Sequence, residues 1–142
     1  MKFKFRLQTV FDLKQHLENE QKDVLLRERN TLDELVNEEQ KLKGKFLTWS
    51  KRYIESANCG MSPIEAVRMG QYLEELQKNI EKVAKSIERQ NAVVERERLL
   101  LIERMKDRKT METLYGRQLE RFDYEEGRKQ EKELEELISS RR

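Results

Sequence analysis

The sequence has little of what enzymes and disulfide-stabilised proteins usually need. It contains one cysteine (Cys59), one histidine (His16) and one proline (Pro63). A lone cysteine excludes an internal disulfide, and neither Cys59 nor His16 stands in the spacing of a metal site or a nucleophile–base pair. The five glycines, at positions 44, 60, 70, 116 and 127, are isolated, so no phosphate-binding glycine loop is present. We therefore predict that the chain is not an enzyme and has neither cofactor nor metal.

Long hydrophobic runs and an excess of one charge are also missing. The longest aliphatic run, Leu99–Ile102, is far shorter than the ~20 residues that span a bilayer. The basic start, Met1–Arg6, is not followed by an apolar segment, so we expect no secretory signal. The formal net charge is only +2, and both signs are mixed along the chain. These features predict a chain without membrane insertion and without nucleic-acid binding.

What the sequence does contain is helical periodicity in a highly charged chain. Charged residues make up 41% of the sequence and hydrophobic residues 36%, which is typical of coiled coils. An apolar seam with alternating steps of three and four residues comprises Leu73, Leu76, Ile80, Val83, Ile87, Val94, Leu101, Met111, Tyr115 and Phe122. Polar residues occupy the remaining seam positions, namely Gln90, Glu97, Arg104, Arg108 and Gln118. The pattern predicts a long helix that packs on another helix, with weaker or unpaired packing in its C-terminal half.

The preceding segment carries a second seam. Its apolar residues are Val10, Leu13, Leu17, Val24, Leu32, Leu35, Leu42, Phe46, Trp49 and Tyr53. The step from Val24 to Leu32 is eight residues rather than seven. This spacing predicts a local eleven-residue repeat that relaxes the supercoil there.

A turn separates the two seams. Ser62 suits a helix N-cap, Pro63 the first helical position and Glu65 the third, while Asn58 and Gly60 suit the end of the helix before. We predict an all-α fold, an antiparallel coiled-coil hairpin formed as a single unit by residues 1–142. Its helices would cover about 6–55 and about 63–138 around a turn at 56–62, and the second would overhang after about Tyr115. The overhang is either a solvated tail or a docking segment.

Aromatic residues cluster beside the predicted turn. Phe46, Trp49 and Tyr53 would lie near Tyr72 in the hairpin. A pair of helices half-covers such rings without enclosing them. The cluster either thickens the seam or forms a partner-binding patch.

Both ends of the chain resemble one protein family. The start reads Phe3-Lys4-Phe5-Arg6-Leu7-Gln8-Thr9-Val10, followed by Leu13-Lys14 and Glu18. The later motif comprises Asp107-Arg108-Lys109, Glu112, Leu114, Glu131 and Glu135-Glu136. These motifs, with the single turn and the longer second helix, resemble FliJ proteins, small cytoplasmic components of the bacterial flagellar type III export apparatus.

The resemblance implies a non-catalytic stalk, similar to the central stalk of rotary ATPases. Its implied partners are the ring of the export ATPase FliI, the export gate protein FlhA and export chaperones. Its implied location is the cytoplasm, peripherally associated with the inner face of the cell membrane. The residues implied to meet the ATPase ring are Phe5, Leu7, Val10, Leu13, Arg108, Glu112 and Tyr115. The residues implied to meet the gate are Leu42, Phe46, Trp49, Tyr53, Tyr72, Leu76 and Val83.

Two other functions remain open from the residues alone. One is a generic coiled-coil scaffold or adaptor, in which the seam pairs between chains. The other is a chaperone that holds export substrates through the overhanging seam.

Overall fold

Two long α-helices make up most of the computed structural model, which describes residues 2–141. Helix α1 spans Gln8–Asn58 and helix α2 spans Pro63–Ser140. The helices pack against each other as a hairpin, and α2 is the longer, with 78 residues against 51. This confirms the predicted all-α hairpin with a longer, overhanging second helix. Helix α1 starts and ends slightly later than expected, and α2 continues slightly further.

The contacts group the chain into two compact units. One unit combines Met1–Lys22 with Leu99–Arg142, and the other is Asp23–Arg98. Each contains a stretch of α1 together with a stretch of α2. Each is therefore a piece of helical hairpin, and the formation of a single unit by residues 1–142 stays a prediction.

The turn between the helices uses the expected cap residues. The Ser62 hydroxyl accepts a hydrogen bond from the Glu65 backbone N–H at 3.3 Å. The Ser62 carbonyl accepts one from the Ala66 N–H at 3.0 Å, so Ser62 is the N-cap of α2. Gly60 has φ +89°, a left-handed conformation that glycine adopts at low cost. Asn58 does not share it, because among residues 2–141 no residue other than glycine has positive φ.

The seam on α2 packs as its spacing predicts. Every position of the three–four repeat from Leu73 to Phe122 is buried or half-buried. The most buried are Leu76 at 4% exposure, Met111 at 8% and Ile80 at 9%. The polar members of the repeat are half-buried as well: Gln90, Glu97, Arg104, Arg108 and Gln118. The repeat is therefore continuous, and its polar positions face inward like the apolar ones.

The seam on α1 differs from the prediction in its first half. The covered positions keep steps of three and four without a break: Phe11, Lys14, Glu18, Gln21, Leu25, Glu28, Leu32, Leu35, Glu39, Leu42, Phe46, Trp49, Tyr53 and Ser56. Val10 and Leu13 are instead exposed. The predicted eleven-residue repeat was wrong, because it assumed that the aliphatic residues point inward.

Several of the inward polar residues of α1 have partners on α2. The buried Glu18 carboxylate accepts a hydrogen bond from the Arg108 guanidinium, and Lys22 lies 3.3 Å from it. In the other unit, the Gln90 side-chain amide donates to the Glu28 carbonyl at 2.9 Å and to its carboxylate at 2.6 Å. A polar group in a coiled-coil seam selects the register that provides its partner, at some cost in stability.

Candidate functional site

The seven residues implied to meet the gate form the first candidate surface, here called the aromatic patch: Leu42, Phe46, Trp49, Tyr53, Tyr72, Leu76 and Val83. Its centre is an edge-to-face pair of Trp49 and Tyr72, with ring centroids 5.4 Å apart and an interplanar angle of 75°. The Arg52 guanidinium lies 4.8 Å from the centroid of the Trp49 ring. Such ring pairs and cation–π contacts each contribute about 1 kcal/mol. The patch thus presents ordered aromatic rings at its centre.

The members of the aromatic patch differ in their access to solvent. Tyr72 is 38% exposed, whereas Leu76 is buried. The remaining five members are half-buried. A shallow groove lined by Trp49, Arg68, Met69 and Tyr72 runs along the same surface. Tyr72 and Trp49 are therefore available to a partner, whereas the buried Leu76 is not.

The second candidate surface contains the residues implied to meet the ATPase ring, here called the lead surface: Phe5, Leu7, Val10, Leu13, Arg108, Glu112 and Tyr115. The segment before α1 folds back onto α2 and brings aromatic rings together. Phe5 is buried, with its ring 5.2 Å from Tyr115 and 6.4 Å from Phe11. The ring centroid of Phe3 lies 5.5 Å from that of Tyr115 and 5.3 Å from that of Phe122. This cluster pins the N-terminal segment to α2.

The aromatic cluster also changes where the overhang starts. The sequence predicted that α2 overhangs after about Tyr115, but Phe3 covers α2 as far as Phe122. Residues 127–141 are all exposed. The overhang therefore begins beyond Phe122, and it stays helical to Ser140.

The aliphatic members of the lead surface face solvent. Val10 is 39% exposed and Leu13 is 52% exposed, since Phe11 and Lys14 take the inward positions beside them. Leu7 is half-buried. Val10 and Leu13 thus form an uncovered aliphatic edge next to the aromatic cluster.

The charged members of the lead surface are paired with each other. Arg108 donates to Glu112 at 2.7 Å as well as to Glu18, and 23% of its side chain is exposed. Lys14 lies 3.7 Å from Asp107 nearby. Glu112 is exposed and presents its carboxylate to solvent. Arg108 therefore has a structural task in the seam in addition to any contact with a partner.

Sequence reasoning placed six of the seven aromatic-patch residues on the right seam positions, but it missed residues around both surfaces. Arg52 and Arg68 flank the Trp49–Tyr72 pair, and Phe3 and Phe11 complete the cluster at the lead surface. The density of aromatic residues at the start of the chain was the available signal for the second group. The position of Arg52 beside Trp49 could also have been found, because i,i+3 neighbours lie on one face of the helix predicted over about 6–55.

Four other titratable side chains are exposed to solvent: His16, Cys59, Glu95 and Arg98. His16 lies 2.9 Å from Glu20, and Cys59 is exposed in the turn. A hydrogen bond from Arg98, aided by its charge, lowers the pKa of Glu95, and the same hydrogen bond raises the pKa of Arg98. Between residues 2 and 141, no three His, Cys, Asp or Glu side chains converge as a metal site would require. Over the same stretch, neither helix combines the length and apolarity of a membrane span.

Comparison with known protein families gives a match that covers almost the whole chain. Residues 3–142 match the family described as Flagellar FliJ protein. No curated protein and no solved structure matches the sequence. The family match extends over both helices, both candidate surfaces and the turn, and it agrees with the resemblance of the two terminal motifs. The chain therefore belongs to the FliJ family of flagellar proteins, which take part in flagellar protein export and are not enzymes.

Proposed function

We propose that this FliJ protein is a non-catalytic stalk and escort of flagellar export. It engages the ring of the export ATPase FliI through the lead surface and the export gate protein FlhA through the aromatic patch, and it handles export chaperones. The family match over residues 3–142 carries this proposal. The two partly exposed surfaces on a helical hairpin support it.

The lead surface suits a ring of subunits for a physical reason. Val10 and Leu13 are aliphatic and exposed, and Glu112 is an exposed charged member of the same set. Apolar side chains that already face water gain free energy when a partner covers them, at about 25 cal/mol per Å². Both residues belong to helix α1, so the backbone of this edge is ordered before binding and little conformational entropy is lost on contact.

The aromatic patch suits a separate protein partner. Trp, Tyr and Arg concentrate binding energy at interfaces, and Trp49, Tyr72 and Arg52 meet in one ordered group. We expect Tyr72 to dominate, because it is the exposed ring of the pair.

The mechanism is mechanical and allosteric. A helical hairpin that binds a ring changes ATPase assembly or turnover only if it binds one state of the ring more tightly than another. A tenfold preference corresponds to about 1.4 kcal/mol, which a few apolar contacts supply. No group of the hairpin needs to take part in ATP chemistry.

The ATPase part is tested by measuring FliI hexamer formation and ATP hydrolysis with and without the purified chain. We expect the chain to promote assembly and to raise the rate. Leu13→Ser should weaken the effect at least several-fold, whereas Leu99→Ser should not, because both leucines are 52% exposed and only Leu13 lies in the lead surface. If the wild-type chain changes neither quantity, the stalk role is wrong.

The gate part is tested by calorimetric titration of the chain with purified FlhA. Tyr72→Ala should reduce affinity by roughly 5- to 30-fold, which corresponds to a loss of about 1–2 kcal/mol at an exposed interface aromatic. Tyr124→Ala serves as the matched control, because Tyr124 is also exposed and lies outside the patch. Equal affinity for wild type and Tyr72→Ala would remove the aromatic patch from the proposal.

The escort part is tested by the capture of purified export chaperones on the immobilised full-length chain. Capture should be saturable and should survive Leu99→Ser. Its absence with every chaperone tried would restrict the proposal to the ATPase and the gate.

A further inference from the structure

The end of α2 presents an apolar stripe that no described part of the chain covers. Leu134 is 60% exposed, Leu137 59% and Ile138 53%, and their i, i+3, i+4 spacing places them on one helical face. We name these three residues the tail stripe. Residues 127–141 are all exposed, and the aromatic cluster reaches α2 only as far as Phe122. The tail stripe is therefore open to another molecule.

The tail stripe lies on a different side of α2 from the seam. Continued beyond Phe122, the repeat of three and four residues passes through Lys132 and Glu136. Leu134 is two residues from each of them, which places it about 160° around the helix from both. A helix that continued the packing of α1 along the seam would therefore leave the tail stripe uncovered. The stripe needs a partner of its own.

Two residues of opposite charge lie on the same face, one at each end of the stripe. Glu131 is seven residues before Ile138, and Arg141 is seven residues after Leu134. Seven residues make nearly two full turns, so each charge is almost in line with an apolar side chain. The other charged residues between 127 and 141 lie about 100° or more from Leu134 around the helix: Arg128, Lys129, Lys132, Glu133, Glu135 and Glu136. The open face thus carries one carboxylate and one guanidinium.

The residues of this face are placed symmetrically about position 136. Leu134 and Ile138 are each two residues from it, and Glu131 and Arg141 are each five residues from it, on opposite sides. When two tails run antiparallel with their positions 136 level, Leu134 meets Ile138 of the second copy. In the same register Glu131 meets Arg141 of the second copy, and each contact occurs twice, as a two-fold interface requires. The register that covers the apolar side chains is therefore also the one that pairs the charges.

Standard helix geometry brings these groups within reach of each other. Packed helices have axes about 8–10 Å apart, so facing residues at one height have Cβ atoms about 4–6 Å apart. This spacing suits both aliphatic contact and an ion pair between a glutamate and an arginine. The nearest like charges would be the two Glu135 carboxylates on the flanks, about 11 Å apart. That separation exceeds the screening length of about 8 Å at physiological salt.

We propose that two copies of this chain form an antiparallel dimer through their tail stripes. Parallel pairing is disfavoured, because it sets Glu131 beside Glu131 and Arg141 beside Arg141. Each copy uses its stripe completely, so association stops at two chains. The contact is confined to about residues 131–141, outside the lead surface and the aromatic patch. Dimerisation therefore leaves the residues of both candidate surfaces out of the contact.

Sedimentation equilibrium of the full-length chain alone tests the proposal. The contact covers about 1,000 Å² or less, so we expect a Kd on the order of hundreds of micromolar. The weight-average mass should rise from that of one chain near ~10 µM towards that of two chains near ~1 mM, settings chosen around that Kd. A mass that stays at one chain over this range, or that rises beyond two, would overturn the proposal.

Charge-reversal variants test the register. Glu131→Arg and Arg141→Glu each turn the two cross-copy ion pairs into like-charge contacts, so each variant alone should dimerise several-fold more weakly than wild type. The double variant exchanges the two charges and should dimerise like wild type. An equal mixture of the two single variants should regain association, because each supplies the charge that the other lacks. Single variants that dimerise like wild type, or a double variant as weak as the singles, would refute the register.

A matched pair of serine variants tests the apolar part of the contact, with circular dichroism to check the helices. Leu134→Ser with Ile138→Ser should remain at the mass of one chain. Leu26→Ser with Ile54→Ser is the control, since it changes the same residue types at 59% exposure elsewhere, and it should dimerise like wild type. The reverse result would place the contact away from the tail. If the tail variant loses helix, the charge variants decide, because arginine and glutamate are good helix formers.

Cross-linking tests the orientation of the two tails. Cys59, the single native cysteine, is exposed and is first replaced by Cys59→Ser. An equal mixture of Leu134→Cys and Ile138→Cys chains should then react with a short thiol-specific cross-linker more efficiently than either variant alone. Preferential cross-linking of one variant with itself would indicate parallel tails and would contradict the proposal. These assays contain no ATPase or gate protein, so their outcome is independent of the proposed export function.

Discussion

Substitutions of Glu18 and Arg108 in the seam can distinguish the effect of their ion pair on stability from the effect of burying the two side chains. The Glu18 side chain is 4% exposed and the Arg108 side chain 23%. Arg108→Leu removes the main partner of a buried carboxylate, a change that costs about 3–5 kcal/mol when the pair is fully buried. Lys22 remains 3.3 Å from Glu18 and the Arg108 site is partly open, so we expect a smaller loss, about 2 kcal/mol.

The reverse change should cost less because Arg108 has a second partner. In Glu18→Leu the guanidinium keeps Glu112 at 2.7 Å and some contact with water. We expect a loss below about 1 kcal/mol, since pairs near the surface contribute little. In the double variant, two leucines fill the seam, and such replacements are often neutral or stabilising. The order of stability should be double variant, then Glu18→Leu, then Arg108→Leu.

Thermal and urea unfolding followed by far-ultraviolet circular dichroism measures this order. A loss of about 2 kcal/mol should lower the Tm by roughly 8 °C for a chain of this length. Trp49 lies in the other compact unit, so its fluorescence shows whether that unit unfolds together with the region around Glu18. If Arg108→Leu and Glu18→Leu are equally destabilised, or if the double variant is no better than Arg108→Leu, the unpaired carboxylate is not the cause.

Three further predictions concern other parts of the chain. Phe5→Ala should lower stability by about 3 kcal/mol, because the ring is buried in the aromatic cluster, and denaturant unfolding measures the loss. Gly60→Ala should cost about 1 kcal/mol because φ is +89°, whereas Gly44→Ala inside α1 should gain up to about 1 kcal/mol; opposite signs in Tm test both. In carboxyl-detected NMR titration, Glu95 should have a pKa below its usual 4.5, and Arg98→Ala should return it to that value. Because its pKa is lowered in the folded state, Glu95 adds stability above pH 4.5, and this contribution is lost as the pH falls through the lowered pKa.

The sequence was a good guide wherever structure depends on neighbours along the chain. The cap at Ser62 and Pro63, the left-handed Gly60 and the α2 seam from Leu73 to Phe122 all appear as expected. Each depends on local backbone preference or on spacing along one helix.

The sequence was a poorer guide in the first half of α1. There the aliphatic and the polar residues lie on different faces of the helix, and the prediction assumed that the aliphatic face is the buried one. Glu18 and Glu28 nevertheless point inward, because Arg108 and Gln90 on the other helix donate hydrogen bonds to them. Arg108 is 90 residues from Glu18 in the sequence, and Gln90 is 62 residues from Glu28, so no local pattern reveals these partners. Val10 and Leu13 became exposed as a direct consequence.

The sequence by itself thus determined the class of fold, the place of the turn and the family, because helix periodicity, capping chemistry and terminal motifs are local properties of the chain. The packing of the two helices decided which side of α1 faces inward, how far Phe3 and Phe5 cover α2, and therefore which side chains are left for partners. A helix offers several plausible faces, and only contacts with the helix opposite give one of them the lowest free energy.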